Sequence, residues 1–126
     1  MTDATNAGVW FEIYVDDMPR ARAFYEAVFQ TQLEAIPTQD DTEMLSFRGA
    51  MASYGAMGAL VKMEGMKAGG GGTIIYLGCD DCAVEEARVS ENGGQVHRPK
   101  FSIGDEGFIS LVADSEGNVI GLHSTK

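Results

Sequence analysis

Basic residues, cysteines and long apolar runs are scarce in this sequence, and each scarcity excludes a class of protein. The 126 residues include 19 Asp and Glu but only 9 Lys and Arg, which gives a formal net charge of -10. Nucleic acids and anionic membranes are bound through basic patches, so this balance predicts neither partner. No apolar run approaches the roughly 18 residues of a transmembrane helix. The polar segment over residues 1–8 lacks the basic and apolar stretches of a signal peptide, which predicts a cytoplasmic protein.

The only two cysteines, Cys79 and Cys82, are separated by two aspartates. This spacing occurs in redox dithiols and in half of a zinc site. No second cysteine pair exists to complete a four-sulfur site, and the neighbouring acidic residues disfavour a thiolate. We therefore interpret the pair as structural, with Cys79 ending a buried strand and Cys82 starting a helix. On this interpretation, Cys82 reacts with a thiol probe faster than Cys79.

A pattern of one strand, one capped helix and three strands occurs twice along the chain. The sequence WFEIYVDD of residues 10–17 aligns with IIYLGCDD of residues 74–81, an offset of 64 residues. After Asp17, apolar residues follow the i, i+3, i+4, i+7 spacing of a helix that packs on a sheet. These residues are Ala21, Phe24, Tyr25, Val28 and Phe29. An internal repeat of this kind constrains the fold more than a single motif does.

The stretch over residues 64–72 ends in four consecutive glycines and is predicted to be a flexible connector. It divides a single predicted domain, residues 1–126, into module one (about 9–63) and module two (about 73–124). In module two, the glycines at 93–94 end a helix predicted over 83–92. Residues 114–118 predict a tight turn between the last two strands. The predicted fold is α+β, with two paired β-α-β-β-β modules.

Three stretches of the chain resemble a known superfamily. They are VDDMPRARAFY at residues 15–25, GCDD at 78–81 with NGG at 92–94, and ADSEGNVIGLH at 113–123. Over residues 9–124, the chain resembles the glyoxalase/bleomycin-resistance/extradiol-dioxygenase (vicinal oxygen chelate) superfamily, and most of all its predicted glyoxalase-related group. The resemblance implies two modules that enclose a U-shaped cavity. It also implies a homodimer, because relatives often assemble their cavities across subunits.

In metal-dependent relatives, the first and last strands of each module supply His or Glu ligands. The resemblance places Trp10, Ile74 and Gly121 at three of these positions, and the fourth falls within residues 57–61. None of these positions carries a carboxylate or an imidazole. We therefore expect no bound metal and no other cofactor.

Alternation of side chains along a strand places Trp10, Glu12 and Tyr14 on one face. The resemblance makes this face a wall of the cavity, together with Tyr76 of module two and His123 of the last strand. A carboxylate among aromatic rings is partly desolvated, which favours a raised pKa and the role of a general base. Alternatively, Glu12 orients a ligand, or it only bonds its neighbours. His123 is either the acid–base partner of Glu12 or the solvent-exposed end of a strand.

Two functions of different classes remain open from the residues alone. In the first, the protein is a metal-independent lyase or isomerase that binds a small organic molecule in an aromatic cavity and uses Glu12 as its base. In the second, it is a non-catalytic binding protein, similar to the drug-sequestering, bleomycin-resistance members of the superfamily. The net charge of -10 favours a cationic or neutral ligand over an anionic one.

Overall fold

The computed structural model describes residues 6–38, 40–50 and 52–126, so most of the polar segment over residues 1–8 lies outside the described residues. Module one consists of β1 (Trp10–Tyr14), α1 (Met18–Phe29), β2 (Glu34–Ala35), β3 (Glu43–Ser46) and β4 (Met57–Lys62). Module two consists of β5 (Tyr76–Gly78), α2 (Cys82–Val89), β6 (Gln95–Ser102), β7 (Phe108–Ala113) and β8 (Val119–Ser124), with 3-10 turns at Ser90–Asn92 and Gly104–Glu106. The predicted α+β fold of two β-α-β-β-β modules is confirmed. No helix in the described ranges is long and apolar enough to span a membrane.

Both helices begin at aspartates that the sequence predicts as caps. The side chain of Asp17 accepts a hydrogen bond from Arg20 N at 3.0 Å, and that of Asp81 accepts one from Ala83 N at 3.0 Å. Each bond satisfies a backbone donor that the first helical turn leaves unpaired. The helix expected over 83–92 starts one residue earlier, and its last turn is a 3-10 turn that ends at Gly93, where φ is 94°. The strand that begins the second copy of the repeat is short and covers only Tyr76–Gly78.

Each module forms a four-stranded sheet in which the first strand lies at an edge. The strand orders are β1-β4-β3-β2 and β5-β8-β7-β6, with β1 parallel to β4 and β5 parallel to β8. Among the described residues, β1 and β5 therefore each have a hydrogen-bonded strand on one side only. The register pairs Trp10 with Met57, Glu12 with Ala59, and Tyr76 with Gly121. Because side chains alternate, Met57 and Ala59 lie on the same face of the first sheet as Glu12.

A single hydrophobic core joins the two modules. Its fully buried members come from both helices and both sheets: Ala21, Phe24, Tyr25, Val28, Leu60, Cys82, Val89, Val112, Ile120 and Leu122. The two helices pack on each other, and Arg88 Nη1 donates to Val28 O at 2.9 Å across their contact. Ile13 of β1 and Val15 just after this strand point into this core, as the alternation predicts. The opposite face of β1 is thus directed away from the core.

The turn at residues 114–118 ties module two to module one. The buried Tyr25 hydroxyl donates to Asp114 Oδ2 at 2.7 Å, while Asp114 Oδ1 accepts from the backbone N–H groups of Glu116 and Asn118. The side-chain amide of Asn118 donates to Tyr14 O at 2.9 Å and accepts from Gly69 N at 2.7 Å. This turn therefore holds the end of β1, the first helix and the connector in one arrangement.

Candidate functional site

Trp10, Glu12 and Tyr14 form a hydrogen-bonded group on the outward face of β1, which we name the Glu12 cluster. The Trp10 indole Nε1 donates to Glu12 Oε2 at 3.2 Å, and the Tyr14 hydroxyl donates to Glu12 Oε1 at 2.7 Å. The hydrogen bond to Glu12 raises the pKa of Tyr14, and partial burial and the charge of Glu12 act in the same direction. Each carboxylate oxygen therefore has one donor from the protein and an acceptor position left for another molecule.

The Glu12 cluster borders a cavity of 490 Å³, which we name the Glu12 cavity. Glu12 and Tyr14 line one side of it, and Asn118, Val119 and Ile120 of module two line another. The connector closes a third side with Met66, Lys67 and glycines 69–71. Glu12 itself is exposed, and the Trp10 side chain is 42% exposed. The expectation that Glu12 is partly desolvated is therefore not met in the single chain.

Tyr76 and His123 lie in a different cavity, at the junction of the two modules. This junction cavity has a volume of 720 Å³ and is also lined by Phe11 and Phe47 of module one. The Tyr76 ring lies directly over Gly121, where the carbon of any side chain would overlap the ring. His123 Nε2 lies 2.7 Å from the carbonyl oxygen of Glu106, so the ring donates a hydrogen bond to that carbonyl when Nε2 carries the proton.

The five predicted site residues thus separate into groups within one chain. Glu12 and Tyr14 line the Glu12 cavity, Tyr76 and His123 line the junction cavity, and Trp10 lines neither of these two cavities although it is bonded to Glu12. The structure does not bring His123 to Glu12, so the acid–base pair considered from the sequence is not formed within a chain. The sequence could not reveal this separation, because it depends on how the two modules are placed relative to each other.

The residues present do not fit the metal site of the metal-dependent relatives. The register shows that Trp10 and Glu12 pair with Met57 and Ala59, and that Tyr76 pairs with Gly121. Of these, only Glu12 has a side chain that binds divalent metals well, and one carboxylate falls short of the three protein ligands that a catalytic metal usually takes. Among the described residues, no three His, Cys, Asp or Glu side chains form a group that could hold a metal ion.

The two cysteines are free thiols in environments that differ from the expectation. Cys82 is fully buried, whereas Cys79 is only partly buried. Burial, followed by the charge of the nearby Glu85 carboxylate, raises the pKa of Cys79 to about 12. The full burial of Cys82 argues against the expected order of reactivity, because the helix start that this residue occupies is covered by the core.

Sequence reasoning missed the role of the turn at residues 114–118 and assigned Tyr25 only to the apolar stripe of the first helix. The chain does carry a signal for this network. A tyrosine in a stripe that is otherwise apolar needs a hydrogen-bond partner when it is buried. Asp114 and Asn118, four residues apart around a glycine, supply that partner and its support. Arg48 was also not among the predicted site residues, although it lines the junction cavity.

Comparisons with known proteins agree with this architecture. The Glyoxalase/Bleomycin resistance protein/Dioxygenase superfamily model matches residues 9–122. CFP32 of Mycobacterium bovis, named as a candidate glyoxylase, is 29% identical over 115 residues, and the chain covers 43% of its length. A glyoxalase I mutant of Zea mays shares the fold with a TM-score of 0.71 at 18% identity, covering 93% of this chain and 46% of that one. TnmS3, an antibiotic binding protein from Streptomyces sp. CB03234, is 27% identical with a TM-score of 0.66, over 99% of this chain and 100% of TnmS3. The chain therefore belongs to the Glyoxalase/Bleomycin resistance protein/Dioxygenase superfamily.

Proposed function

We propose that the protein binds a small organic cation without transforming it. The observation that carries this proposal is the arrangement of Glu12, whose carboxylate is held by Trp10 and Tyr14 beside an open cavity. His123, considered from the sequence as an acid–base partner for Glu12, lines the other cavity, which removes that support for catalysis by Glu12 within one chain.

The Glu12 cluster has the chemistry that recognises a cation. A carboxylate with free acceptor positions attracts a positive charge, and the ring of Tyr14, which lines the same cavity, attracts it as well. The net charge of -10 adds a long-range attraction for the same kind of ligand. The likeness to TnmS3, an antibiotic binding protein that matches nearly the whole chain, supports binding as the function.

The test uses Trp10, the only tryptophan of the chain, as a fluorescent reporter beside Glu12. Proflavine, a planar aromatic cation, is titrated into the protein and into Glu12→Gln, in parallel with calorimetry. We expect the substitution to weaken binding by about tenfold or more, because it removes the charge but keeps the size of the side chain. Glu43→Gln serves as the control, since Glu43 is an exposed carboxylate outside the Glu12 cavity. Equal affinities of the native protein and Glu12→Gln would contradict the proposal.

Metal-independent lyase or isomerase chemistry is the second candidate, and one contact favours it. The Tyr14 hydroxyl lies 2.7 Å from Glu12 Oε1, so a base and a weak acid are adjacent. Such a pair could remove a proton from a carbon next to a carbonyl and return it. This candidate predicts deuterium incorporation from D2O into hydroxyacetone in the presence of the protein, and none with Glu12→Gln. Absence of exchange with the native protein leaves binding as the function.

We also propose that the functional unit is a homodimer. The edge strands β1 and β5 carry exposed apolar side chains, with Trp10 42% and Tyr76 48% exposed, and Ile74, which precedes β5, is 41% exposed. An open edge with exposed apolar residues is a surface that proteins normally cover. Sedimentation analysis should give twice the chain mass of 13.5 kDa, and a monomer at high micromolar concentration would contradict this.

A further inference from the structure

The junction cavity has a charge opposite to that of the protein as a whole. Its lining includes one arginine, Arg48, and no aspartate or glutamate among the described residues. Arg48 is exposed and makes no ion pair with a described residue. A solvent-open guanidinium with no carboxylate beside it is available to an anion.

The walls of this cavity are aromatic. Phe11 and Phe47 lie with their ring centres 5.7 Å apart at 39°, and Tyr76 lies flat over Gly121. Phe11 likewise lies against Gly58, which leaves no room for a side-chain carbon at that glycine. Because Gly58 and Gly121 have no side chains, the rings of Phe11 and Tyr76 lie directly against the neighbouring strands. This placement leaves a cavity of 720 Å³, within the range of cavities that hold small organic ligands.

The junction cavity is separate from the Glu12 cavity. Among the residues that the structure describes, none lines both cavities. None of the residues that line the junction cavity belongs to the Glu12 cluster. A ligand of this cavity is thus recognised without Glu12.

We propose that the junction cavity is a second binding site and that its ligand is a planar aromatic carboxylic acid. The carboxylate pairs with the Arg48 guanidinium, which presents two parallel N–H donors to it. The ring system packs against Phe11, Phe47 and Tyr76. This site goes beyond the proposed binding of cations, because it takes ligands of the opposite charge through different residues.

The test compares two probes of nearly the same shape, 2-naphthoate and uncharged 2-naphthamide, by calorimetry and by NMR chemical shifts. We expect naphthoate to bind about tenfold or more tightly than naphthamide. Arg48→Gln should abolish this difference and leave the affinity for naphthamide unchanged. The matched control is Arg98→Gln, because Arg98 lies over the Phe101 ring outside the cavity. Melting temperatures of both variants establish that the fold is retained.

Glu12→Gln separates the two proposals. Naphthoate binding should be unchanged in this variant, whereas binding of proflavine is weakened about tenfold or more. Equal binding of naphthoate and naphthamide, or retention of the difference in Arg48→Gln, would overturn the second site. It is also overturned if naphthoate does not bind and the NMR signals of Phe11 and Tyr76 shift only with protein concentration. In that case a second copy of the chain covers the cavity.

Discussion

The carboxylate of Glu116 accepts two hydrogen bonds from the guanidinium of Arg20, at 2.6 Å from Nε and 2.9 Å from Nη2. The same carboxylate accepts from the backbone N–H groups of Asp16 and Asp17, which precede the first helix. The Glu116 side chain is completely buried, although that of Arg20 is 54% exposed. A single carboxylate thus joins the last hairpin of module two to the start of α1 in module one.

This contact predicts a specific loss of stability in acid. Burial raises the pKa of Glu116, but the hydrogen bonds from Arg20, Asp17, Ser115 and Asp16 outweigh it and lower the pKa to about 2. A lowered pKa in the folded state means that the contribution is complete above the ordinary value of 4.5 and is lost as the pH falls towards 2. Glu116→Gln should lower the free energy of unfolding at neutral pH by about 2–3 kcal/mol. It should also flatten the dependence of stability on pH between 4.5 and 2, as followed by urea denaturation.

The control for this experiment is Glu64→Gln, which changes an exposed carboxylate of the connector. It should leave both the stability and its pH dependence close to those of the native protein. If Glu116→Gln has the same acid profile as the native protein, the bond to Arg20 does not stabilise the fold.

Tyr25→Phe should destabilise the protein although it removes a single oxygen. The Tyr25 hydroxyl is buried and donates to Asp114 Oδ2 at 2.7 Å, and burial followed by the charge of Asp114 raises the pKa of Tyr25. Without this donor, a buried carboxylate oxygen keeps only the bond from Asn118. We expect a loss of about 1–2 kcal/mol by urea denaturation. Tyr54→Phe, which removes the hydroxyl of a fully exposed ring, should have no effect.

The architecture could be predicted from the sequence because both copies of the repeat carry the same local signals. The alignment of residues 10–17 with 74–81 predicted a strand–helix module in each half, and the aspartate caps predicted where both helices begin. The register of β4 could not be predicted, since residues 57–61 are all apolar or glycine and mark neither face. The division of the candidate site was also beyond prediction. It arises from bonds such as Asn118 to Tyr14, which join residues 104 positions apart.

The cysteines should show the order of reactivity opposite to the one that the sequence indicates. Cys82 has no exposed surface, and the pKa of Cys79 is raised to about 12 by burial and by Glu85. Both should therefore react with an aromatic disulfide reagent at pH 8 on the order of 100-fold more slowly than in urea. Cys82→Ser, which retains the partly exposed Cys79, should react faster than Cys79→Ser. The reverse order would show that the start of α2 opens in solution.

Gly121→Ala tests the contact beneath the Tyr76 ring. A side-chain carbon at Gly121 overlaps this ring, whereas one at Gly78, also in module two, meets nothing within 4 Å. We expect Gly121→Ala to cost about 1–3 kcal/mol of stability and to shift the ring signals of Tyr76 in NMR spectra. Gly78→Ala should do neither. Similar spectra and stabilities for the two variants would contradict the close contact.

The bonds of Glu116 also affect how the chain folds while the ribosome is making it. Asp17 leaves the ribosome 99 residues before Glu116, and Tyr25 leaves 89 residues before Asp114. Until the turn at residues 114–118 has been synthesised, the backbone N–H groups of Asp16 and Asp17 and the Tyr25 hydroxyl lack their acceptors. Module one therefore emerges with its first helix incompletely anchored, and the translated chain completes its core only when the last hairpin arrives.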